Sequence, residues 1–269
     1  MTNKVVGILG FGEIGKSMAH VCRDAGFKIL VRELTYDEIK DNKIDYLHVS
    51  IPEKNPSEFI KTVVKNIKEL KPILTIINSS TTPGTVKRIA KLSKYPVVHS
   101  PVIGVHPDLY FSIKKYFTKV IGPTSSISKK LAIEHFNKLK IKYTFYDSSD
   151  NSEAAKILDL VYYAWNIVYC KWAKEMCDKN GLNFGQVYTE QNKIYNDGYK
   201  KLLPNVARPI LFPVPGAMGG HCTIPDTIIF HRYSPSRLTA YILKENEMYN
   251  KKEPVDIEAE RIKLHKIRK

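Results

Sequence analysis

The chain has 269 residues and a mass of 30.8 kDa, enough to bury a core as one large domain or two modest ones. With 43% apolar and 26% charged residues, a disordered or fibrous chain is excluded. Forty-two Lys and Arg against 27 Asp and Glu leave a formal charge of +15, which implies an anionic partner or a lysine-rich solvated surface.

The first half alternates short β-branched runs with helical stretches, the pattern of a mostly parallel, doubly wound sheet covered on both faces. In chain order the strands are expected at Val5–Leu9, Lys28–Val31, Tyr46–Ile51, Ile73–Ile77, Pro96–His99, Thr118–Ile121 and Lys142–Tyr146. Helices are expected near Ile14–Ala25, Ser57–Leu70, Thr85–Leu92 and Ser128–Leu139. Pro52, Pro83 and Pro101 each fall just after a strand, where a loop opens at the carboxyl edge of the sheet. This α/β domain is assigned to residues 1–148.

Residues 149–269 read differently, as one long helix and a small helical region for substrate and dimerisation. Asp150 and Glu153 have the spacing of a capping box, and a helix follows to Asn180, stopped by Gly181 as a C-cap glycine. Its apolar residues nearly encircle it, so it should be buried, and the few elements after it do not suffice to cover it; a homodimer through this helix is expected. The stripe Tyr162, Tyr163, Trp165, Tyr169 and Trp172 reads as helix-packing core. Its most apolar stretch, Ile157–Cys170, contains Asp159 and Asn166 and is too short for the roughly 20 apolar residues of a membrane span. A Pro/Gly-rich loop occupies Pro213–Pro225, and the last nine residues carry Arg261, Lys263, Lys266, Arg268 and Lys269 without an acid, read as a solvated terminus. A nucleic-acid partner rests on charge alone and is not expected.

The strongest local signal is Gly10-Phe11-Gly12-Glu13-Ile14-Gly15, directly after the first strand and opening the first helix. In that context a GxGxxG turn is a dinucleotide fingerprint: its glycines permit the tight turn, close approach of the pyrophosphate, and close helix–strand packing. The helix N-terminus then faces the negative charge. Glu33, eighteen residues after Gly15, stands at the end of the second strand, where a carboxylate accepts the ribose hydroxyls of NAD. Arg32 beside it suits a 2′-phosphate, so NAD is expected and NADP stays open. Pro52 joins Gly10, Gly12, Glu13, Ile14, Gly15 and Glu33 as a cofactor-binding residue.

Three further segments extend the pattern: Asn78-Ser-Ser-Thr-Thr-Pro-Gly-Thr85, Ser152-Glu-Ala-Ala-Lys156, and Pro215-Gly-Ala-Met-Gly-Gly-His-Cys-Thr-Ile-Pro-Asp226. Together with the fingerprint they resemble the UDP-glucose/GDP-mannose dehydrogenase family of nucleotide-sugar dehydrogenases, over roughly residues 4–230. The resemblance implies a Rossmann domain and oxidation of a sugar-type hydroxyl with NAD, by way of a cysteine thiohemiacetal and thioester. It implies Cys222 as nucleophile, Lys156 as the cation that stabilises developing oxyanion charge, Asp226 as a carboxylate that orders water, and Ser80 as a water-binding hydroxyl. Three positions depart from the family: Val102 and His106 stand where glutamates are expected, and Leu160 where an asparagine is expected. About forty residues follow the cysteine loop, leaving no room for the family's C-terminal nucleotide-sugar domain. His106 is a candidate substitute general base.

The shorter β-hydroxyacid dehydrogenases share the fingerprint, the long helix and its lysine, and their two-electron oxidation needs no cysteine. A non-catalytic NAD-binding protein is a third reading. Cys22, Cys170, Cys177 and Cys222 show no CxxC spacing, pointing to neither a zinc knuckle nor a disulfide framework, and fit reduced thiols in a cytoplasmic protein. His99, His106 and His221 with Cys222 fit no ligand spacing, and no metal is expected.

Overall fold

The computed structural model describes residues 4–106, 108–218 and 222–252. Two compact units, Met1–Lys156 and Ile157–Lys269, divide the chain within its long helix. The tail from Arg261 onward, and Gly219, Gly220 and His221, lie outside the described residues.

The first unit is a seven-stranded sheet. Its elements are β1 (Val5–Leu9), α1 (Glu13–Asp24), β2 (Lys28–Arg32), β3 (Tyr46–Val49), α2 (Pro56–Leu70), β4 (Leu74–Ile77), α3 (Thr85–Ser93) and β5 (Val97–His99). They are followed by α4 (Leu109–Phe111) with a π-helical turn at Ser112–Tyr116, β6 (Lys119–Pro123), α5 (Ser126–Leu139) and β7 (Tyr143–Phe145). The strand order is β2-β1-β3-β4-β5-β6-β7. β1 to β5 run parallel, β6 pairs antiparallel with β5, and β7 is parallel to β6. The seven expected strands and four helices of this half all form, with ends moved by one or two residues.

Every residue of β3 and β4 is buried, as befits strands covered on both faces. Val6, Ile8, Leu74, Ile76 and Val98 face a core completed by Met18 and Cys22 of α1 and Phe136 of α5. Leu9, Leu47, Val49 and Ile77 face the opposite core, with Phe59, Val63 and Ile67 of α2 and Val86 and Ile89 of α3. Because β2 and β3 flank β1 on opposite sides, the connections diverge at the carboxyl ends of β1 and β3. In open α/β sheets that divergence makes the ligand crevice.

The long helix α6 spans Ser149–Lys179 and ends as the sequence predicts. Gly181 has φ +66, and the Leu182 N–H returns to the Cys177 carbonyl at 2.8 Å, a Schellman-type closure. Its start differs from expectation. The helix begins at Ser149, the Asn151 N–H bonds Ser148 Oγ at 3.3 Å, and the Glu153 carboxylate leaves the helix for partners in the sheet domain. Asp150 and Glu153 therefore form no capping box.

The second unit continues with a π-helical segment at Gly185–Glu190 leading into α7 (Gln191–Leu202), then α8 (Thr223–Tyr233) and α9 (Arg237–Lys252). Val161, Ala164 and Val168 of α6 pack with Met218 and Ile242, and Cys170 and Ala173 pack with Tyr188. The aromatic stripe is not part of this core: Tyr162, Tyr163, Trp165, Tyr169 and Trp172 are 37–56% exposed. Neighbours within its own unit touch the stripe only in part, Tyr241 beside Trp165 and Tyr188 beside Tyr169, with ring centres 6.4 Å apart in both pairs. Among the described residues, no helix is long and apolar enough to cross a membrane.

Candidate coenzyme and catalytic site

The glycine turn between β1 and α1 assigns a separate task to each glycine. Gly10 has φ +90, a conformation L side chains rarely adopt, and any Cβ there would press to 2.8 Å from Ile51 Cγ2. At Gly15 a Cβ would stand 2.0 Å from the Gly10 carbonyl oxygen, so this glycine lets α1 pack against the turn. At Gly12 a Cβ would meet nothing within 4 Å. The fold therefore does not demand glycine at position 12. Glu13 and half-buried Ile14 open that helix.

Glu33 lies at the carboxyl end of β2, where its Oε2 accepts the Phe11 N–H at 2.5 Å and its Oε1 the Leu34 N–H at 3.1 Å. Arg32 is committed elsewhere. Its guanidinium donates to Asp37 at 2.9 Å, to Asn66 at 2.6 Å and to Glu69 at 2.6 Å. Pro52 is exposed in the loop after β3. Gly10, Gly12, Glu13, Ile14, Gly15 and Glu33 thus converge at the ends of β1 and β2.

Beside this crevice the Asn78–Thr85 segment is held by two buried carboxylates that the sequence reading did not single out as site residues. Glu53 accepts from the Thr82 N–H (2.8 Å), the Thr82 hydroxyl (2.9 Å) and the Thr85 hydroxyl (3.4 Å). Glu153 accepts from the Thr81 hydroxyl (2.9 Å) and from the N–H groups of Gly84 and Val86 (3.0 Å each). Burial pushes the Glu153 carboxyl up to about 8 against the pull of these three donors. His99 Nδ1 lies 2.8 Å from Ser152 Oγ, and its Nε2 lies 3.1 Å from the Ser79 carbonyl oxygen. Burial pushes His99 down to about 3, and the charges of Lys119 and Lys156 act in the same direction. Residues 149–156 are therefore anchored to the sheet, which fixes Lys156, half-buried, at the same edge as half-buried Ser80.

Of the three positions that depart from the dehydrogenase pattern, Leu160 is half-buried on α6 and the other two behave differently. Val102 is buried in the core beneath α1. His106 Nδ1 lies 2.6 Å from Glu13 Oε2, so this imidazole is joined to the first turn of α1.

In the second unit Cys222 sits immediately before α8, partly exposed, and its carbonyl accepts the Asp226 N–H at 2.9 Å. Asp226 is 4% exposed in the first turn of that helix. The loop leading to Cys222 is tied down by Lys171 of α6, another residue missed in the sequence. Its ammonium donates to the carbonyls of Val214 and Gly216, the latter at 2.7 Å, and stands 4.5 Å from the Tyr249 ring centre. The Met218 N–H donates to Asn246 Oδ1 at 2.7 Å. Lys156 and Ser80 belong to the first unit, and Cys222 and Asp226 to the second.

No model of a known protein family matches the chain, and no functionally curated protein matches it in sequence. Solved structures do. The UDP-D-ManNAc dehydrogenase of Pyrococcus horikoshii is 17% identical with a TM-score of 0.71, over 90% of this chain and 68% of that one. A UDP-glucose dehydrogenase from Pyrobaculum islandicum is 14% identical with a TM-score of 0.72, over 91% and 68%. The 3-hydroxyisobutyrate dehydrogenase of Mycobacterium tuberculosis is 14% identical with a TM-score of 0.65, over 93% and 94%. These likenesses establish the fold: the chain has the Rossmann-type architecture that the nucleotide-sugar dehydrogenases share with 3-hydroxyisobutyrate dehydrogenase, and spans about two-thirds of the former.

Proposed function

We propose that the chain binds NAD at the Gly10–Gly15 turn and removes a hydride from a hydroxyl-bearing carbon of a sugar-type or anionic small molecule. The observation that carries this reading is the open space at Gly12, bounded by the turn and by Glu33 at the end of β2. NAD, when bound, supplies the hydride acceptor. Glu33 holds the adenosine ribose, and Arg32, spent on Asp37, Asn66 and Glu69, is withheld from a 2′-phosphate. Lys156 supports the alkoxide as the substrate hydroxyl loses its proton, with Ser80 binding water. The surplus of positive charge suits an anionic substrate.

In the same proposal Cys222 adds through Sγ to an aldehyde product, its thiol proton passing to the carbonyl oxygen, and the thiohemiacetal loses a hydride to a second NAD and its hydroxyl proton to water, leaving a thioester. Asp226 orders water near that thiol. A second reading stops at the aldehyde or ketone. It is favoured by Val102, buried in the core, and by His106, neither of which supplies a carboxylate of its own at the positions for water activation. The four free thiols fit a reducing, cytoplasmic setting. The partly exposed aromatics of α6 fit a homodimer formed through that helix.

The test is thermal denaturation with and without NAD. NAD should raise the melting temperature of the wild type. Gly12→Val should melt within about 2 °C of the wild type without ligand, because its side chain enters open space, yet show no response to NAD. Absence of any shift in the wild type with either dinucleotide overturns the proposal.

A further inference from the structure

Three side chains from separate elements meet under the sheet, away from the coenzyme crevice. Cys22 comes from α1, His48 from β3 and His135 from α5, and each is 0% exposed. His48 Nε2 and His135 Nε2 lie 2.9 Å apart, Cys22 Sγ lies 3.9 Å from His48 Nε2, and one ligand atom from each residue falls within 4.8 Å of the others.

From this convergence we propose that Cys22, His48 and His135 form a buried site for a soft d10 metal ion, and that its charge balance selects Cu+ over Zn2+. Three ligands on one metal, at metal–nitrogen distances of about 2.0–2.1 Å and metal–sulfur of about 2.3 Å, stand roughly 3.5–3.8 Å apart in trigonal geometry. The Cys22–His48 distance of 3.9 Å is close to this, and the two imidazoles, 2.9 Å apart, need to open by roughly 0.6 Å.

Hydrogen bonding gives an incomplete account of the same group. The Asn78 side-chain amide lies 3.2 Å from His48 Nδ1. If its nitrogen faces the ring, His48 carries its proton on Nε2 and gives it to His135, leaving Asn78 Oδ1 and His135 Nδ1 buried without hydrogen-bond partners. If the amide is turned, Asn78 Oδ1 accepts from His48 Nδ1–H, the orienting bond that metal-bound histidines typically make. His48 Nε2 then turns a lone pair toward His135 Nε2 and Cys22 Sγ; with either amide orientation His135 Nδ1 stays buried without a hydrogen-bond partner, and a cation that takes the place of the proton between the two imidazoles frees His135 to bind through Nε2.

The donor set decides the class of ion. Sulfur and imidazole nitrogen exclude the hard ions Mg2+ and Ca2+. Structural Zn2+ takes four ligands, whereas the described residues supply three. One thiolate neutralises Cu+ but leaves Zn2+ with a net positive charge; burial pushes the free Cys22 thiol up to about 12, against the pull of Lys119 and Lys114, so the buried thiolate needs a cation beside it. Binding releases the thiol proton, so one H+ leaves for each ion taken up. With every ligand fully buried, the ion enters as the domain folds.

The experiment is to unfold the full chain and refold it anaerobically with Cu+ or, separately, with Zn2+. After desalting, metal is counted by mass spectrometry and Cu+ affinity is read by competition with a chromogenic Cu+ chelator. The expected result is about one Cu+ per chain, a melting temperature raised by several degrees, and an X-ray absorption edge fitted by one sulfur and two nitrogens. Cys22→Ala and His135→Gln should each hold less than about 0.2 equivalents. Less than that in the wild type overturns the site without reference to any variant. Equal loading of Cys22→Ala places the ion elsewhere and also overturns it. One equivalent of Zn2+ with no retained Cu+ overturns the choice of ion.

Discussion

Glu33 accepts the Phe11 N–H at 2.5 Å, which locks the end of β2 to the middle of the glycine turn before any ligand arrives. The neighbouring Arg32 is held by three acceptors, so on the proposed function neither residue favours a 2′-phosphate. NAD should bind at least about tenfold more tightly than NADP, since a phosphate at Glu33 replaces a charge-assisted hydrogen bond, worth about 1.5–3 kcal/mol, with repulsion. Titration calorimetry reads both affinities. Replacing Asp37 and Glu69 together by alanine frees Arg32 and should narrow the gap; NADP binding as tight as NAD in the wild type contradicts this account.

Lys171 holds the Val214–Gly216 segment that precedes Cys222 in the chain. Its ammonium holds the Val214 and Gly216 carbonyls in a site only 5% exposed. Lys171→Met keeps the aliphatic volume but strands those carbonyls, and should destabilise the protein by about 1–3 kcal/mol. Cys222 is the only one of the four cysteines that is not buried, so a chromogenic disulfide reagent reports on it selectively. Its labelling should accelerate several-fold in Lys171→Met. Unchanged stability and labelling would show that the loop does not depend on this lysine.

His99 makes the sheet domain acid-sensitive. It is buried against Ser152 and the Ser79 carbonyl, with Lys119 and Lys156 acting on it, and titrates at about 3 in the folded chain against about 6.5 unfolded. The unfolded state therefore takes up the proton first. Stability is fully present above pH 6.5 and is lost as the pH falls toward 3, at about 1.4 kcal/mol per pH unit from this residue. Urea unfolding of wild type and His99→Gln from pH 7 to pH 4 measures it. The variant should be weaker at pH 7 but show a shallower acid slope, and parallel slopes rule the explanation out.

The partly exposed aromatics of α6 carry the prediction of a homodimer. Trp172 is 50% exposed, and its ring centre lies 5.7 Å from that of Tyr169. A surface with five such aromatics on one helix is the kind that marks an interface. Light scattering at micromolar concentration should give twice the chain mass. Trp172→Glu should return the monomer with little loss of fold, because the side chain is half-exposed within one chain. A monodisperse wild-type monomer contradicts the dimer.

Most of the sheet domain is legible in the sequence because its signals are local. The β-branched runs of β3 and β4, the glycine turn and Gly181 each need only a few neighbouring residues to be read. What the sequence hides is who meets whom across the fold. Glu153 has the spacing of a capping residue, yet three donors of the Thr81–Val86 segment recruit it away from the helix. Lys171 looks like any solvated helix lysine until the Val214–Gly216 loop is seen to close on it. Cys22, His48 and His135 share no spacing because their meeting point lies between α1, β3 and α5. The aromatic stripe reads as core because composition cannot say how much of a helix its own chain covers.

How far oxidation proceeds is the prediction on which the two functional readings part. Cys222 occupies the start of α8 with Asp226 one turn on, and covalent addition of its thiolate to an aldehyde requires no external base. Release of the thioester does require an activated water. At the two positions where carboxylates are expected, Val102 is packed into the core and His106 is joined to Glu13 at 2.6 Å. Loss of a general base typically slows such a step by about 10²–10⁴-fold. Thioester should therefore form faster than it is hydrolysed. Rapid mixing of protein, NAD and the aldehyde of a sugar phosphate or nucleotide sugar should give a burst of NADH, matched by one acyl adduct on Cys222 in the intact mass. Cys222→Ser should show neither burst nor adduct, while still oxidising the parent alcohol to the aldehyde through the first-unit residues. Turnover of aldehyde by Cys222→Ser at the wild-type rate would remove the thiol from the chemistry and leave simple two-electron oxidation as the function.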